Sequence, residues 1–188
     1  VERDVDHEGS RLMLIVIASC ISFADTWRPF AALLHKFWRD RPQEWQIHLL
    51  TDGDAADALA KGNGWITRDF DFLHAAGDMP SWSKRLHWFL TTQVPKEEVV
   101  LMLQDDHFLM GEVNTEAIRA AARLIHRRPD IGSVRFNPCP GPADETAVEQ
   151  IAGVPLGEVR KGEAYRVSCQ VTLWRSSFLA RGLACVPE

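Results

Sequence analysis

The chain has 188 residues, 46% of them hydrophobic, and 26 acidic against 21 basic residues give a formal net charge of -5. That length buries one sizeable core and is short for two full domains, so we read residues 1–188 as a single domain. The acid excess argues against a protein that wraps nucleic acid while leaving a local phosphate site open, and no stretch approaches the ~20 uninterrupted apolar residues of a transmembrane segment.

The first residues, Val1-Glu-Arg-Asp-Val-Asp-His-Glu8, are acidic, and the apolar run behind them reaches only from Leu12 to Ala18. Neither resembles a signal peptide, so a cytoplasmic location is expected. A start at Val1 and an end at Glu188 are compatible with a piece of a longer chain. Cys20, Cys139, Cys169 and Cys185 are widely spaced, without a Cys-x-x-Cys pair, and read as small buried hydrophobes in a reducing compartment.

Leu12 to Ala18 is a continuous apolar run, the pattern of a central strand of a parallel sheet, and it ends in the small residues Ser19-Cys20. Asp25 or Thr26 is then placed to cap a helix opening near Arg28-Pro29, with Phe30, Leu33, Leu34, Phe37 and Trp38 at helical spacing. Pro42 stops it, and Trp45-Gln-Ile-His-Leu-Leu50 predicts the next strand, with Thr51-Asp52-Gly53 directly behind. Asp52 stands where a ligand hydroxyl or base meets such a sheet, although Asp-Gly is also good turn chemistry. Ala55 to Lys61 reads as a short helix closed by Gly62-Asn-Gly64, and Trp65 to Phe70 as a third, peripheral strand.

A loop from Gly77 feeds a helix starting near Ser81 or Ser83. Its exposed first-turn amides, with Lys84 and Arg85, form a candidate anion site. Pro95 ends it. Val99 to Leu103 is a second strand apolar on both faces, and Asp105-Asp106-His107 follow at its carboxyl end, where open α/β sheets bind ligands. Adjacent carboxylates repel, so a cation near them is expected. Asn114 caps a long helix with Ala117, Ile118, Ala121, Leu124 and Ile125 on its apolar face and Arg119, Arg123, Arg127 and Arg128 on the exposed side. Ile131 to Phe136 returns to the sheet. A loop or lid is expected from Asn137 to about Gly162, then a late strand from Tyr165 to Trp174 and a helix from Ser176 to about Arg181. Most of the seven tryptophans fit the core pattern.

Alternating strands and helices predict an α/β fold: a single Rossmann-like α/β/α sandwich around a mostly parallel central sheet. Neither Gly-x-Gly-x-x-Gly nor a P-loop is present, so the usual dinucleotide and NTPase readings lose support. The order of parts resembles a nucleotide-sugar-dependent glycosyltransferase of the GT-A fold. The matching pieces are Leu14-Ile-Val-Ile-Ala-Ser19, Leu49-Leu-Thr-Asp52, Trp82-Ser-Lys-Arg-Leu86, the DxD-type Leu101-Met-Leu-Gln-Asp-Asp106, and Gln170-Val-Thr-Leu-Trp174. The resemblance implies a divalent ion, Mn2+ or Mg2+, bridging the donor diphosphate, with Asp106 as the direct ligand and Asp105 meeting ribose or the ion's waters. His107 stands where the final acid of Asp-x-Asp would be and is itself a candidate ligand. By the same resemblance Ser19 and Asp52 meet the nucleoside and Arg85 the pyrophosphate.

The partners implied are a nucleotide-sugar donor and a glycan or small-molecule acceptor. Glu163, Asp144 and Glu145 are the candidate bases for the acceptor hydroxyl. A sugar nucleotidyltransferase shares the fold type but opens with a Gly-rich basic loop, unlike Ser19-Cys-Ile-Ser-Phe-Ala-Asp25. A phosphorylation-controlled signalling module would carry its acid pair after the first strand, where Ser19-Cys20 stand. A non-catalytic nucleotide-sugar-binding relative completes the alternatives.

Overall fold

A computed structural model describes residues 13–62, 66–79, 81–95, 97–137, 149–163 and 166–186. The three expected strands form as β1 (Leu14–Ala18), β2 (Gln46–Thr51) and β4 (Val99–Gln104), with the short edge strand β3 (Phe72–Ala75). Between them lie α1 (Ala24–Phe37), α2 (Ala55–Lys61), α3 (Ile66–Asp69) and α4 (Trp82–Thr92). After β4 come α5 (Thr115–Arg127), β5 (Ser133–Arg135), the hairpin β6 (Glu149–Ile151) and β7 (Val154–Leu156), β8 (Thr172–Arg175) and α6 (Ser176–Ala184).

The central sheet has the order β3-β2-β1-β4-β8-β5. β1 pairs in parallel with both β2 and β4, and β2 with β3, whereas β8 runs antiparallel between β4 and β5. Side chains alternate across the pleat. Ile15, Ile17, Ile47, Leu49, Leu101 and Leu103 therefore share one face with Trp27, Phe30 and Leu34 of α1 and Ile118, Leu124 and Ile125 of α5. Leu14, Val16, Leu50, Val100, Met102 and Trp174 share the other with Leu86, Phe89 and Leu90 of α4 and Leu179 of α6. Both faces are thus covered, which is why β1 and β4 carry no polar alternation. The result is an α/β fold with a six-stranded, mostly parallel sheet, compatible with a Rossmann-like arrangement.

Several local expectations change. Residues 66–69 form a helical turn, not a strand. Ile66 and Phe70 are both buried and four positions apart, the spacing of a helix face, and the peripheral strand follows as β3. The late strand is confined to β8, and the expected 137–162 loop carries the β6–β7 hairpin, turned by Ala152 and Gly153 at φ 46 and 76. Neither Asp25 nor Thr26 caps α1: a 3-10 turn at Ile21–Phe23 leads straight into it. Asn114 does cap α5, its Oδ1 accepting from the Ala117 amide at 2.9 Å. Of the arginine stripe, Arg119 leaves the solvated side and lies 5.7 Å over the Trp45 ring. Cys20 and Cys169 are half-buried free thiols, Cys169 packed against the core beneath α4 and α6, and Cys185 is exposed, so none of the three is fully buried as expected; Cys139 lies outside the described residues. Among the described residues no helix is long and apolar enough to cross a membrane.

The chain moves outward from β1 through β2 to β3, then returns to place β4 on the other side of β1. That reversal opens a crevice at the carboxyl ends of β1 and β4, where neighbouring connections leave on opposite faces.

Candidate functional site

Ser19 follows the last residue of β1, and its amide still donates to the Leu50 carbonyl at 2.9 Å, which holds it at the sheet's end. Its hydroxyl donates to Asp105 Oδ2 across the β1/β4 reversal and accepts from the Trp27 indole at 2.6 Å. The Thr26 hydroxyl lies 3.0 Å from the same Asp105 oxygen and 2.7 Å from the Phe23 carbonyl. Trp27 is 0% and Asp105 6% exposed, so the first turn of α1 closes a buried polar cluster over the end of β4. Two hydroxyls stand where a charged carboxylate loses water, which is how a buried acid is tolerated.

Asp105 and Asp106 occupy a tight turn in which the His107 amide donates to the Gln104 carbonyl at 3.1 Å. The turn sends the two carboxylates different ways. Asp105 points inward, while the Asp106 side chain is 72% exposed, with His107 Nε2 3.9 Å from its Oδ1. The adjacent acids thus avoid each other geometrically, and their roles divide.

Asp52 ends β2. Its Oδ1 accepts from the Ile21 amide at 2.6 Å, and its Oδ2 lies 3.8 Å from Arg85 Nη1. Arg85 is 6% exposed and donates to the Met79 carbonyl at 3.1 Å and to the Ser19 carbonyl at 3.5 Å. One guanidinium therefore links the ends of β1 and β2 to the segment that opens α4. It is a long planar donor with fixed geometry, suited to holding three chain segments in register. Ser81 caps α4 by accepting from the Lys84 amide at 3.3 Å. Of the basic pair only Lys84 reaches the surface.

Ser19, Asp52, Arg85, Asp105, Asp106 and His107 are thus gathered at one end of the sheet by strands β1, β2 and β4 and the start of α4. Glu163 lies half-buried in the connection before β8, its amide donating to the Arg160 carbonyl at 3.2 Å, and no described contact joins it to the acid pair. Asp144 and Glu145 fall outside the described residues. Trp27 and Thr26 complete the cluster and were not legible as site residues. An indole in the first turn of an amphipathic helix carries the same signature whether or not its N–H meets a serine.

Asp52, Asp105 and Asp106 are gathered at this end of the sheet with Arg85, whose guanidinium lies 3.8 Å from Asp52, so acids outnumber bases there. Among the described residues no group of three or more His, Cys, Asp or Glu side chains is placed to hold a metal ion. A hard divalent ion that binds mainly through substrate phosphates and water needs only one or two protein carboxylates, and the open Asp106 beside His107 fits that donor set. No protein-family model matches the chain, and no curated protein matches it.

Proposed function

We propose that the chain is a glycosyltransferase of the GT-A type that moves a sugar from a nucleoside-diphosphate donor to an acceptor hydroxyl. The observation that carries this reading is the Ser19–Asp105 hydrogen bond spanning the β1/β4 reversal, with Asp106 left open beside it. A crevice at that point of an α/β sheet is where nucleotides bind. Asp52 provides a carboxylate oxygen to accept from a nucleoside hydroxyl or base, Ser19 holds the Asp105 side of the crevice through its own hydroxyl, and the buried Arg85 keeps both in place. Asp106, with His107, would hold Mn2+ or Mg2+, which when bound supplies Lewis-acid stabilisation of the leaving diphosphate. The pinned Asp105 keeps the turn rigid, so that Asp106 presents its carboxylate without reorganising. Glu163 is the one described candidate for the base that takes the acceptor proton.

A second reading, nucleotide-sugar binding without transfer, draws on the same turn. Asp105 is spent within the fold and Asp106 is left as the open acid of the pair.

Calorimetric titration of UDP and GDP, with and without Mn2+, into the wild type and Asp106→Asn tests the proposal. We expect manganese-dependent binding of one nucleotide, weakened at least ~10-fold, about 1.4 kcal/mol, in the variant. Failure of both nucleotides to bind with Mn2+ present overturns it. Binding without release of nucleoside diphosphate from any sugar donor selects the second reading.

A further inference from the structure

The outer edge of β3 borders a hollow of about 420 Å3 that the Ser19–Asp105 cluster does not share. Its walls include Leu73, His74 and Ala75 of β3, Asp54 ahead of α2, and Trp88 and Gln93 at α4. β3 is the last described strand on that side of the sheet. The Ala76 amide donates to the Thr51 carbonyl at 2.9 Å, toward β2. Alternation along a parallel strand then turns the backbone groups of Leu73 and Ala75 the other way, into the hollow. These are fixed donors and acceptors with no strand opposite them among the described residues.

The side chains are held as firmly. His74 Nε2 shares a hydrogen bond of 2.9 Å with His48 Nδ1, which leaves His74 Nδ1 for a ligand. His48 is 5% exposed and stacks 4.7 Å from the Phe72 ring, with Phe89 edge-on at 5.5 Å, so the imidazole behind His74 has little freedom. Burial lowers the pKa of both rings, which favours their neutral forms. Asp54 Oδ1 accepts from the Asp57 amide at 2.8 Å, fixing that carboxylate with Oδ2 to spare. Trp88 is half-buried and Gln93 exposed.

Charge decides what such a hollow takes. None of its lining residues is Lys or Arg, and one is a carboxylate, so a phosphate or another anion has no counter-charge. A flat base would meet polar groups along one edge and leave the rest facing apolar contacts. A pyranose carries hydroxyls, each donor and acceptor, around its rim and C–H groups on its faces. That distribution matches an indole wall with carboxylate, amide, imidazole and strand-edge groups around it. The volume falls within the ~300–1,000 Å3 usual for small-molecule sites.

We propose that this hollow binds a neutral saccharide, with a pyranose ring against Trp88 and its hydroxyls shared among Asp54, Gln93, His74 and the outward backbone of β3. The inference stands on the β3 edge alone and does not depend on the transferase reading. Heteronuclear NMR titration of the whole chain tests it, with glucose, galactose, mannose, N-acetylglucosamine and cellotriose as probes, and uridine and a simple diamine as comparisons. Saturable shifts of the Leu73 to Gly77 amides and the Trp88 indole N–H are expected with at least one sugar, and they should weaken about tenfold in Trp88→Ala. Gln93→Ala, at an exposed site, should weaken them too and covers the case in which Trp88→Ala does not fold. Silence of the β3 amides with every sugar overturns the proposal. So does a response to uridine or the diamine only, or sugar shifts that both variants leave intact.

Discussion

Asp105 and Asp106 are adjacent in sequence and opposite in environment, so replacing each by asparagine separates structure from function within one dipeptide. Asp105 is 6% exposed, and its Oδ2 is met by the hydroxyls of Ser19 and Thr26. Hydrogen bonds to a charged group contribute roughly 1.5–3 kcal/mol each when both partners are retained. Asparagine keeps an acceptor carbonyl but loses the charge, and it turns an NH2 toward groups that had donated. Relief of burying an anion opposes that loss. Because the hydroxyls remain, we set the net cost of Asp105→Asn at about 2 kcal/mol. For a chain of this size that lowers Tm by roughly 4–8 °C. Asp106, with its side chain 72% exposed, should change stability by less than about 0.5 kcal/mol while carrying the loss of metal-dependent nucleotide binding. Thermal unfolding of the three proteins by circular dichroism, paired with nucleotide titration, reads both effects. Equal Tm values for the two variants, or a stabilised Asp105→Asn, would refute the reasoning, since burial of the anion would then outweigh its hydrogen bonds.

Acid should weaken the fold through the histidine pair. Burial, then the nearby His74, hold His48 at a pKa of about 4 against an ordinary 6.5, so the unfolded chain binds more protons between those values. Stability is therefore full above pH 6.5 and falls as pH drops toward 4, by at most about 1.4 kcal/mol per unit for this group, with His74 adding in the same direction. Urea unfolding across that window in wild type and His48→Leu measures it, and an unchanged slope in the variant would reject the assignment. Gly53, which joins Asp52 to the wall of the β3 hollow, has φ +70, and an added Cβ would lie 3.0 Å from Ile21 Cδ1. Gly53→Ala should cost about 1–2 kcal/mol from the left-handed backbone alone, with Gly53→Asn milder. An alanine variant as stable as wild type would remove the strain argument.

Two strands at the centre of the sheet were legible because both of their faces are buried: Leu12–Ala18 and Val99–Leu103 read as continuous apolar runs, the composition that strands covered by helices on both sides need, while Trp45–Leu50 was read as a strand from its place between Pro42 and Asp52-Gly53. The Asn114 cap and the start of α6 at Ser176 were equally local. Residues 65–70 were misread because six residues hold too few periods to tell spacing two from spacing four, and the contact that decides between them is the burial of Ile66 with Phe70. Position along the sequence pattern placed Ser19, Asp52, Arg85, Asp105 and Asp106 near the ends of elements. Which of them meet was a matter of strand order, since Ser19 reaches Asp105 over a separation of 86 residues only because β4 lies beside β1. The opposite fates of Asp105 and Asp106 rest on one turn and on Thr26 and Trp27 arriving from α1. The antiparallel insertion of β8 between β4 and β5 and the open edge of β3 likewise exist only in the packed sheet. Residue types carry the local preferences, and the partners of a buried polar atom are chosen by packing across the whole chain.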